Sequence, residues 1–221
     1  MSVRQIKLLT RRSATELANL IRTKAVSPIE ILQAYLEAIS QLNPSINAIC
    51  TLAAEQALEA AKKAEAAVMR CERLGPLHGL PVGIKDVTPT AGIRTTYGSL
   101  LFADNIPKED AAVVSRLRQA GAIILCKTNT PEFATGANTV NKVFGATRNP
   151  WDLALTVGGS PVAALLRLQA GCFRSLKTRI LAALCAFQPH SVGSSVCGRL
   201  LVSFQAILCL YRGIQAAPTA P

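Results

Sequence analysis

The chain has 221 residues, 50% of them hydrophobic and 17% charged, a balance that is typical of a globular domain and excludes an intrinsically disordered protein. Its formal net charge of +11 would favour nucleic acid or an anionic membrane as a partner if the basic residues were clustered. All thirteen acidic residues lie within 1–152. The six basic residues of 153–221 are scattered and have no interleaved aromatics. A basic protein that binds nucleic acid or a partner is therefore only the alternative hypothesis.

Three helices are predicted before residue 71. The segment Ser13–Glu16 has the capping-box pattern that begins a first helix. The segment Ser27–Glu30 repeats this pattern with proline at the first helical position, and the pair Asn43-Pro44 is expected to end this second helix. The alanine-rich stretch from Thr51 to Arg70 predicts a third helix with its charged side facing solvent, as part of an outer layer.

Two buried strands are predicted next. The segment Val82–Val87 is a short run of apolar and β-branched residues that contains one lysine, Lys85, which we expect to be largely buried. Asp110 can cap a helix that extends through Gln119 and ends at Gly121. The apolar segment Ala122–Lys127 predicts the second strand. A helix between two buried strands predicts an α/β fold in which the strands are neighbours and the helix packs on them.

The cysteines and the apolar segments indicate the compartment. The seven cysteines are odd in number, and their spacings match neither a zinc site nor a disulfide framework. The N-terminus lacks the apolar core of a signal peptide, and the apolar stretch from Leu200 to Tyr211 is too short and too polar to span a bilayer. We therefore expect a cytoplasmic protein without a membrane partner.

Several motifs follow one another between Gly75 and Ser160, and in this order they resemble the amidase-signature family. With the helices that precede them, the resemblance covers about residues 5–160. It implies an α/β fold, the N-terminal portion of a mixed sheet flanked by helices. The motifs are Gly-Pro-Leu-His-Gly-Leu-Pro-Val-Gly-Ile-Lys-Asp at 75–86, Thr-Thr-Tyr-Gly-Ser at 95–99, the run from Arg116 to Asn129, Glu-Phe-Ala at 132–134, Phe-Gly at 144–145, Asn-Pro-Trp-Asp at 149–152 and Gly-Gly-Ser at 158–160.

The resemblance implies hydrolysis of a carboxamide through an acyl-enzyme, without a metal or organic cofactor. In the family a lysine, a bridging serine and a nucleophilic serine form a proton relay, and Lys85 and Ser160 fall on the first two positions. A serine hydroxyl attacks only when a base removes its proton, and a lysine is such a base only if burial lowers its pKa. From the strand alone, Lys85 could equally be a buried charge that is paired with Asp86 or with a more distant acid.

The resemblance leaves the substrate and the partners open. The family contains stand-alone amidases, which act on small-molecule amides, and the glutaminase-type subunit of the amidotransferases that amidate misacylated transfer RNA. Amidotransferase subunits would be partners only in the second case. The residues that match the family do not separate the two, because the missing part builds most of the substrate pocket.

The resemblance stops after Ser160. The family continues with a Ser-Gly-Gly stretch, an alanine-rich helix and a second Gly-Gly-Ser that carries the nucleophile, whereas this chain continues Pro161-Val-Ala-Ala-Leu-Leu and contains no further acid. When residues 161–172 are back-translated and read one base earlier, permitted codons can give Ser-Gly-Gly-Gly-Ala-Ala-Ala-Leu-Ala-Ser-Gly-Met. Residues 173–199 can then give Thr-Asp-Leu-Gly-Gly-Ser within a family-like segment, with the serine codon straddling Ala183 and Leu184. Because most residues permit several codons, the agreement shows compatibility with a one-base deletion near Ser160.

Two regions with different origins are therefore expected. Residues 1–160 would be a truncated amidase-signature domain that leaves sheet edges and an apolar face uncovered. Residues 161–221 would be a frameshifted, non-native tail without a fold of its own. We expect the chain to be catalytically inactive as written, because the segment that bears the nucleophile is missing.

Overall fold

The computed structural model describes residues 8–150 and 152–157. Ser160 and the predicted tail at 161–221 lie outside the described residues. The helices are α1 (Ala14–Arg22), α2 (Pro28–Ile46), α3 (Ala54–Met69) and α4 (Ala112–Gln119). The strands are β1 (Ile49–Leu52), β2 (Pro81–Lys85), β3 (Ile123–Thr128), β4 (Val140–Asn141), β5 (Gly145–Ala146), β6 (Arg148–Asn149) and β7 (Asp152–Thr156).

The strands β1, β2 and β3 form one mixed sheet with the order β1-β3-β2. β2 runs parallel to β3, with Lys85 opposite Thr128, and β1 runs antiparallel to β3 on its other side. The prediction that the two apolar runs are neighbouring strands is therefore confirmed. The later strands β4 to β7 are short and pair as two hairpins, β4 with β5 and β6 with β7.

Helices cover both faces of the sheet. On one face, α4 packs through Val114 and Leu117 against Val82 of β2. On the other face, α2 and α3 pack against Ile123 and Leu125 of β3, as expected for side chains that alternate along a strand. All six residues of β3 are buried as a result. The predicted α/β fold, a mixed sheet flanked by helices with α4 packed on the two strands, is confirmed.

The predicted helix starts are confirmed for α1 and α2. In each, the serine before the helix accepts a hydrogen bond from the backbone N–H of the glutamate three residues later, and that glutamate accepts from the serine N–H. These capping boxes satisfy backbone donors that the first turn of a helix leaves unpaired.

The predicted end of α2 is wrong. The helix continues past Pro44, which lies in its last turn, where a missing N–H costs a single hydrogen bond. It ends at Asn47, which has the left-handed conformation with a φ of 54°. The Asn43 side chain fixes the exit, because its Oδ1 accepts from the N–H groups of Ala48 at 2.9 Å and Ile49 at 2.8 Å. Its Nδ2 donates to the Ile49 carbonyl at 3.0 Å.

The predicted start of the third helix is also wrong. The stretch expected to be helical from Thr51 begins its helix at Ala54, because Ile49–Leu52 forms β1 beside β3. The alanines of α3 then face the sheet, and its charged residues Glu55 and Lys62 are exposed, as expected.

The helix α4 begins without the predicted aspartate cap. Asp110 accepts a hydrogen bond from the Ala91 N–H at 2.7 Å and another from Arg118 Nε at 2.9 Å, so it ties the preceding loop to the last turn of the helix. The predicted stop at Gly121 is confirmed. This glycine has a φ of +88°, and a Cβ there would lie 2.8 Å from the Cα of His78.

Replacement of Asn43 by alanine is expected to destabilise the described fold by about 2 kcal/mol, because three hydrogen bonds at the junction of α2 and β1 are lost together. The free energy of unfolding from urea titration measures the effect. Gln41→Ala is the matched control, since the exposed Gln41 side chain bonds to Glu37 one turn earlier, and it should change stability by less than about 0.5 kcal/mol. Equal effects of the two substitutions would contradict the role assigned to Asn43.

Candidate active site

Lys85 is the last residue of β2 and lies at the carboxyl end of the parallel strand pair. It has intermediate exposure, so most of its surface is covered, in agreement with the expectation that Lys85 is largely buried. Burial alternates along β2: Val82 and Ile84 are buried on the face that α4 covers, whereas Lys85 lies on the opposite face, where exposure is intermediate. Loops that follow the carboxyl ends of parallel strands are where ligands bind in α/β folds, and Lys85 is placed at such an edge.

The residue after Lys85 anchors the loop that leaves the strand. Asp86 is completely buried, and its N–H donates to the Thr128 carbonyl at 2.9 Å. Its carboxylate accepts from the N–H of Thr96, at 3.1 and 3.2 Å to the two oxygens, and from Thr96 Oγ1 at 2.5 Å. Burial raises the pKa of Asp86, and the hydrogen bonds from Thr96 oppose that rise. The loop is therefore closed between its two ends, at residues 86 and 96.

A second lysine, Lys127 on β3, is the more deeply buried of the two. Its side chain is 0% exposed, and Nζ donates to the Thr88 carbonyl at 2.5 Å, to Thr90 Oγ1 at 2.9 Å and to Thr95 Oγ1 at 3.0 Å. An ammonium group has three N–H donors, so all three are used. Burial lowers the pKa of Lys127 to about 8, against the attraction of Asp86. Sequence reasoning placed Lys127 in a buried strand but gave it no role, although a lysine in an apolar strand was the same signal that identified Lys85.

A network of buried amides and hydroxyls holds the loop after β3. Asn129 donates to Thr147 Oγ1 at 3.0 Å, and Asn141 donates to Asn129 Oδ1 at 2.6 Å and to the Thr130 carbonyl at 2.7 Å. Asn129, Thr130 and Thr147 are almost fully inaccessible to solvent. Buried polar groups that bond to one another in this way rigidify the segment that carries them. The loops after β2 and β3 are therefore both fixed at the edge where Lys85 lies.

An apolar surface is formed by the loop that follows Lys85 together with the loop that follows β3. The ring of Phe102 packs edge to face against the ring of Tyr97, with 5.1 Å between the centroids, and against the ring of Phe133, with 6.2 Å between the centroids. Leu101 is 84% exposed and Ile106 58% exposed beside them in the chain. The described residues thus expose apolar side chains next to the candidate site, the kind of surface that usually marks an interface.

The remaining candidate groups have structural roles. His78 forms a hydrogen bond between Nε2 and the Ala64 carbonyl at 2.9 Å. Cys126 is 1% exposed within β3, which is the environment of a structural strand residue rather than of a nucleophile. Burial raises the pKa of the Cys50 thiol, which keeps it protonated and unreactive. Within residues 8–150 and 152–157, no helix is both long enough and apolar enough to span a membrane.

The free energy of unfolding is expected to rise with pH through the titration of Lys127. Its pKa is about 8 in the folded state and 10.5 without burial, so between these values the unfolded chain binds more protons. The penalty for a buried ammonium is complete below pH 8 and is relieved by about 3 kcal/mol as the pH approaches 10.5. Urea titrations of the chain and of a Lys127→Met variant, at pH 7.5 and about 10, measure the difference. A difference that does not change with pH would contradict the burial of a charged Lys127.

Comparisons with known proteins assign the family. The family model described as Amidase matches residues 30–161, which is more than half of the chain and includes both Lys85 and Ser160. The chain is 47% identical, over 152 residues, to a glutamyl-tRNA(Gln) amidotransferase subunit of Acidothermus cellulolyticus. It is 43% identical to an acylamidase of Rhodococcus erythropolis over 159 residues.

The matches cover most of this chain but a third or less of the relatives. The amidotransferase subunit is matched over 69% of this chain and 30% of its own length, and the acylamidase over 72% and 33%. The solved structure of a bacterial aryl acylamidase of the amidase-signature family superposes with a TM-score of 0.67 at 30% identity, over 70% of this chain and 33% of that one. This chain, which spans about a third of the length of the relatives it matches, belongs to the amidase-signature family.

Proposed function

We propose that this chain derives from an enzyme that hydrolyses a carboxamide C–N bond, and that it is inactive as written. In this proposal Lys85 is the base of a Ser-Ser-Lys relay and Ser160 is the serine that bridges it to the nucleophile. The substrate amide carbonyl is attacked by the nucleophilic serine, the amine or ammonia leaves, and water releases the acid from the acyl-enzyme.

The position of Lys85 supports the role of base. It lies at the carboxyl end of a parallel strand, partly exposed, at an edge that two rigid loops border. A lysine base needs partial burial and must still reach the reacting group from a fixed backbone. Lys85, with intermediate exposure at the end of a strand, meets these requirements, whereas the fully enclosed Lys127 cannot reach a substrate. The match to the family model over residues 30–161 includes the positions of both relay residues.

The alternative that Lys85 is paired with Asp86 receives no support from the carboxylate. Both oxygens of Asp86 accept hydrogen bonds from Thr96, ten residues further along the loop. The Asp86 side chain is also fully buried, whereas Lys85 is partly exposed. Asp86 therefore serves the loop.

The proposed inactivity follows because the relay requires a nucleophilic serine after Ser160. Lys85 and Ser160 can pass a proton only towards a nucleophile, and the position that should supply it falls at Ala183 and Leu184 in this chain. Without a held nucleophile and donors for the oxyanion, the reaction loses its main positional and electrostatic advantages. We propose that residues 161–221 result from a one-base deletion near the Ser160 codon and have no fold of their own.

Two substrate classes remain within the proposal. The relatives that the chain resembles include an amidotransferase component and an acylamidase, at 47% and 43% identity. If the parent enzyme was part of an amidotransferase, it would hydrolyse glutamine and act with partner subunits; if it was an amidase, it would hydrolyse small amides alone. Activity of the repaired enzyme on glutamine and on simple aliphatic and aromatic amides distinguishes them.

Purified chain is expected to release no ammonia above the blank from a panel of simple aliphatic and aromatic amides. The reason is the absent nucleophile, since the available serines lie outside the required Gly-Gly-Ser context: Ser175, Ser191, Ser194 and Ser195. A Lys85→Ala variant serves as the control for contaminating amidases. Turnover that disappears in this variant would show that another serine acts as the nucleophile, and the proposed inactivity would be wrong.

A further inference from the structure

Lys127 bonds to one segment of the chain rather than to the fold in general. Its three acceptors, on Thr88, Thr90 and Thr95, all belong to the loop that begins immediately after Lys85. We propose that Lys127 is a positioning residue for Lys85, a role that rests on the proposed function of Lys85 as the catalytic base. It acts through the loop, and it does not itself touch the substrate.

A short series of hydrogen bonds connects the two lysines. Lys127 Nζ donates to the Thr88 carbonyl at 2.5 Å, and the Thr88 N–H donates to the Lys85 carbonyl at 3.0 Å. The Asp86 N–H, between them in sequence, donates to the Thr128 carbonyl at 2.9 Å. The backbone of Lys85 is therefore fixed on the β3 side by strand pairing and on the loop side by a turn that the Lys127 ammonium holds.

The far end of the same loop is held by the opposite charge. Asp86 binds Thr96 through its carboxylate, and the Tyr97 N–H donates to the Asp86 carbonyl at 3.0 Å. Asp86 and Lys127 are both completely buried and attract each other. Two buried charges thus hold a loop of about ten residues against the strand pair that carries Lys85.

A purely stabilising role would not require this arrangement. Burial of an ammonium group is unfavourable, and an apolar residue at position 127 would avoid that cost. The two threonines would keep hydrogen bonds without it, because Thr90 Oγ1 also donates to the Thr88 carbonyl and Thr95 Oγ1 to the Ile93 carbonyl. The ammonium therefore adds a second connection from the turn after Lys85 to β3, at Thr88, beyond the backbone hydrogen bond of Asp86.

The test compares Lys127→Met with Lys108→Met, an exposed lysine of the same chain. Hydrogen exchange resolved to peptides would be measured over the Lys85 turn and, as a reference, over α3. The proposal predicts at least tenfold faster exchange for the turn in Lys127→Met, with α3 unchanged and with no effect of Lys108→Met. Unchanged exchange in the turn, or an equal acceleration in α3, would overturn it.

The Lys85 side chain gives a second readout that a general loss of stability would not move. In chain labelled with 13C at the lysine ε-carbon, the Lys85 resonance, assigned with Lys85→Arg, is expected to shift in Lys127→Met while other lysines keep their positions. An unmoved Lys85 resonance would overturn the proposal.

If Lys127→Met does not fold, Thr95→Val is the variant to measure, because it removes one acceptor of the ammonium. It should give the same local changes with a smaller magnitude, and no local change in this variant would also overturn the proposal. Neither measurement needs turnover, so the result is separate from the test of amide hydrolysis.

Discussion

Insertion of one base at the Ser160 codon, with the downstream coding sequence retained, is expected to produce an active amidase from an inactive polypeptide. The insertion would restore the Ser-Gly-Gly stretch after Ser160 and the Gly-Gly-Ser whose serine codon straddles Ala183 and Leu184. Because a missing nucleophile in a serine hydrolase costs on the order of 10⁶ in kcat, the gain should be at least about three orders of magnitude over the chain as written. Ammonia release from an amide panel that includes glutamine measures it.

A second gene provides the matched control for this experiment. It carries the same insertion, but the restored nucleophile codon is changed to alanine, so the protein has the same length and almost the same composition. We expect it to fold as the repaired enzyme does and to show no turnover. If the repaired enzyme is folded and yet as inactive as this control on every amide, the proposal that the lineage hydrolyses amides is wrong.

The second large effect is expected at Lys85 in the repaired enzyme. Lys85→Met preserves most of the side-chain volume but removes the amine, so kcat should fall by at least about a thousandfold, which is within the range typical for loss of a general base and part of a relay. KM should change little, because the amine acts on the proton of the nucleophile. Steady-state kinetics on the best amide of the panel measure both parameters.

Lys108→Met is the control for a loss of positive charge at a surface position. It should leave kcat within about twofold of the repaired enzyme, as expected for an exposed residue far from special features. A Lys85→Met enzyme that keeps most of its kcat would remove Lys85 from the relay. The family membership would stand, since it depends on the match over residues 30–161.

Local sequence rules predicted the parts of the fold in which one pattern dominates. The capping boxes before α1 and α2 involve residues three apart, and the hydrogen bonds form as predicted. The apolar strands β2 and β3 were predicted from their composition, and their pairing from the helix between them. The glycine at 121 is required by a left-handed backbone and by the close approach of His78, and the helix stop that it produces was visible in the sequence.

Tertiary contacts decided the parts that were missed. Pro44 was expected to end α2. The Asn43 side chain instead accepts hydrogen bonds from the N–H groups of Ala48 and Ile49, and these bonds stabilise the end of the helix beyond the proline. The second half of β1 was assigned to a helix because it precedes an alanine-rich stretch, and only pairing with β3 makes it extended. Such long-range partners are absent from any local window of sequence.

The candidate site also contains one residue that could be identified from the sequence and one that required the structure. Lys85 could be identified because the motifs around it resemble those of a known family. Lys127 could not be distinguished from it by local pattern, since each is a lysine in an apolar strand, and only the structure shows that Thr88, Thr90 and Thr95 enclose its ammonium. The loop that supplies these acceptors lies more than thirty residues earlier in the chain, too far for a periodicity argument.

The nucleotide sequence across the Ser160 codon and the codons that follow tests the central claim most directly. The claim is that this chain is the N-terminal third of an amidase-signature enzyme, joined to a tail in the wrong reading frame. The frame one base earlier should encode Ser-Gly-Gly-Gly-Ala-Ala-Ala-Leu-Ala-Ser-Gly-Met across residues 161–172 and a Gly-Gly-Ser whose serine spans Ala183 and Leu184. A shifted frame that contains stop codons or an unrelated sequence in this region would contradict the frameshift.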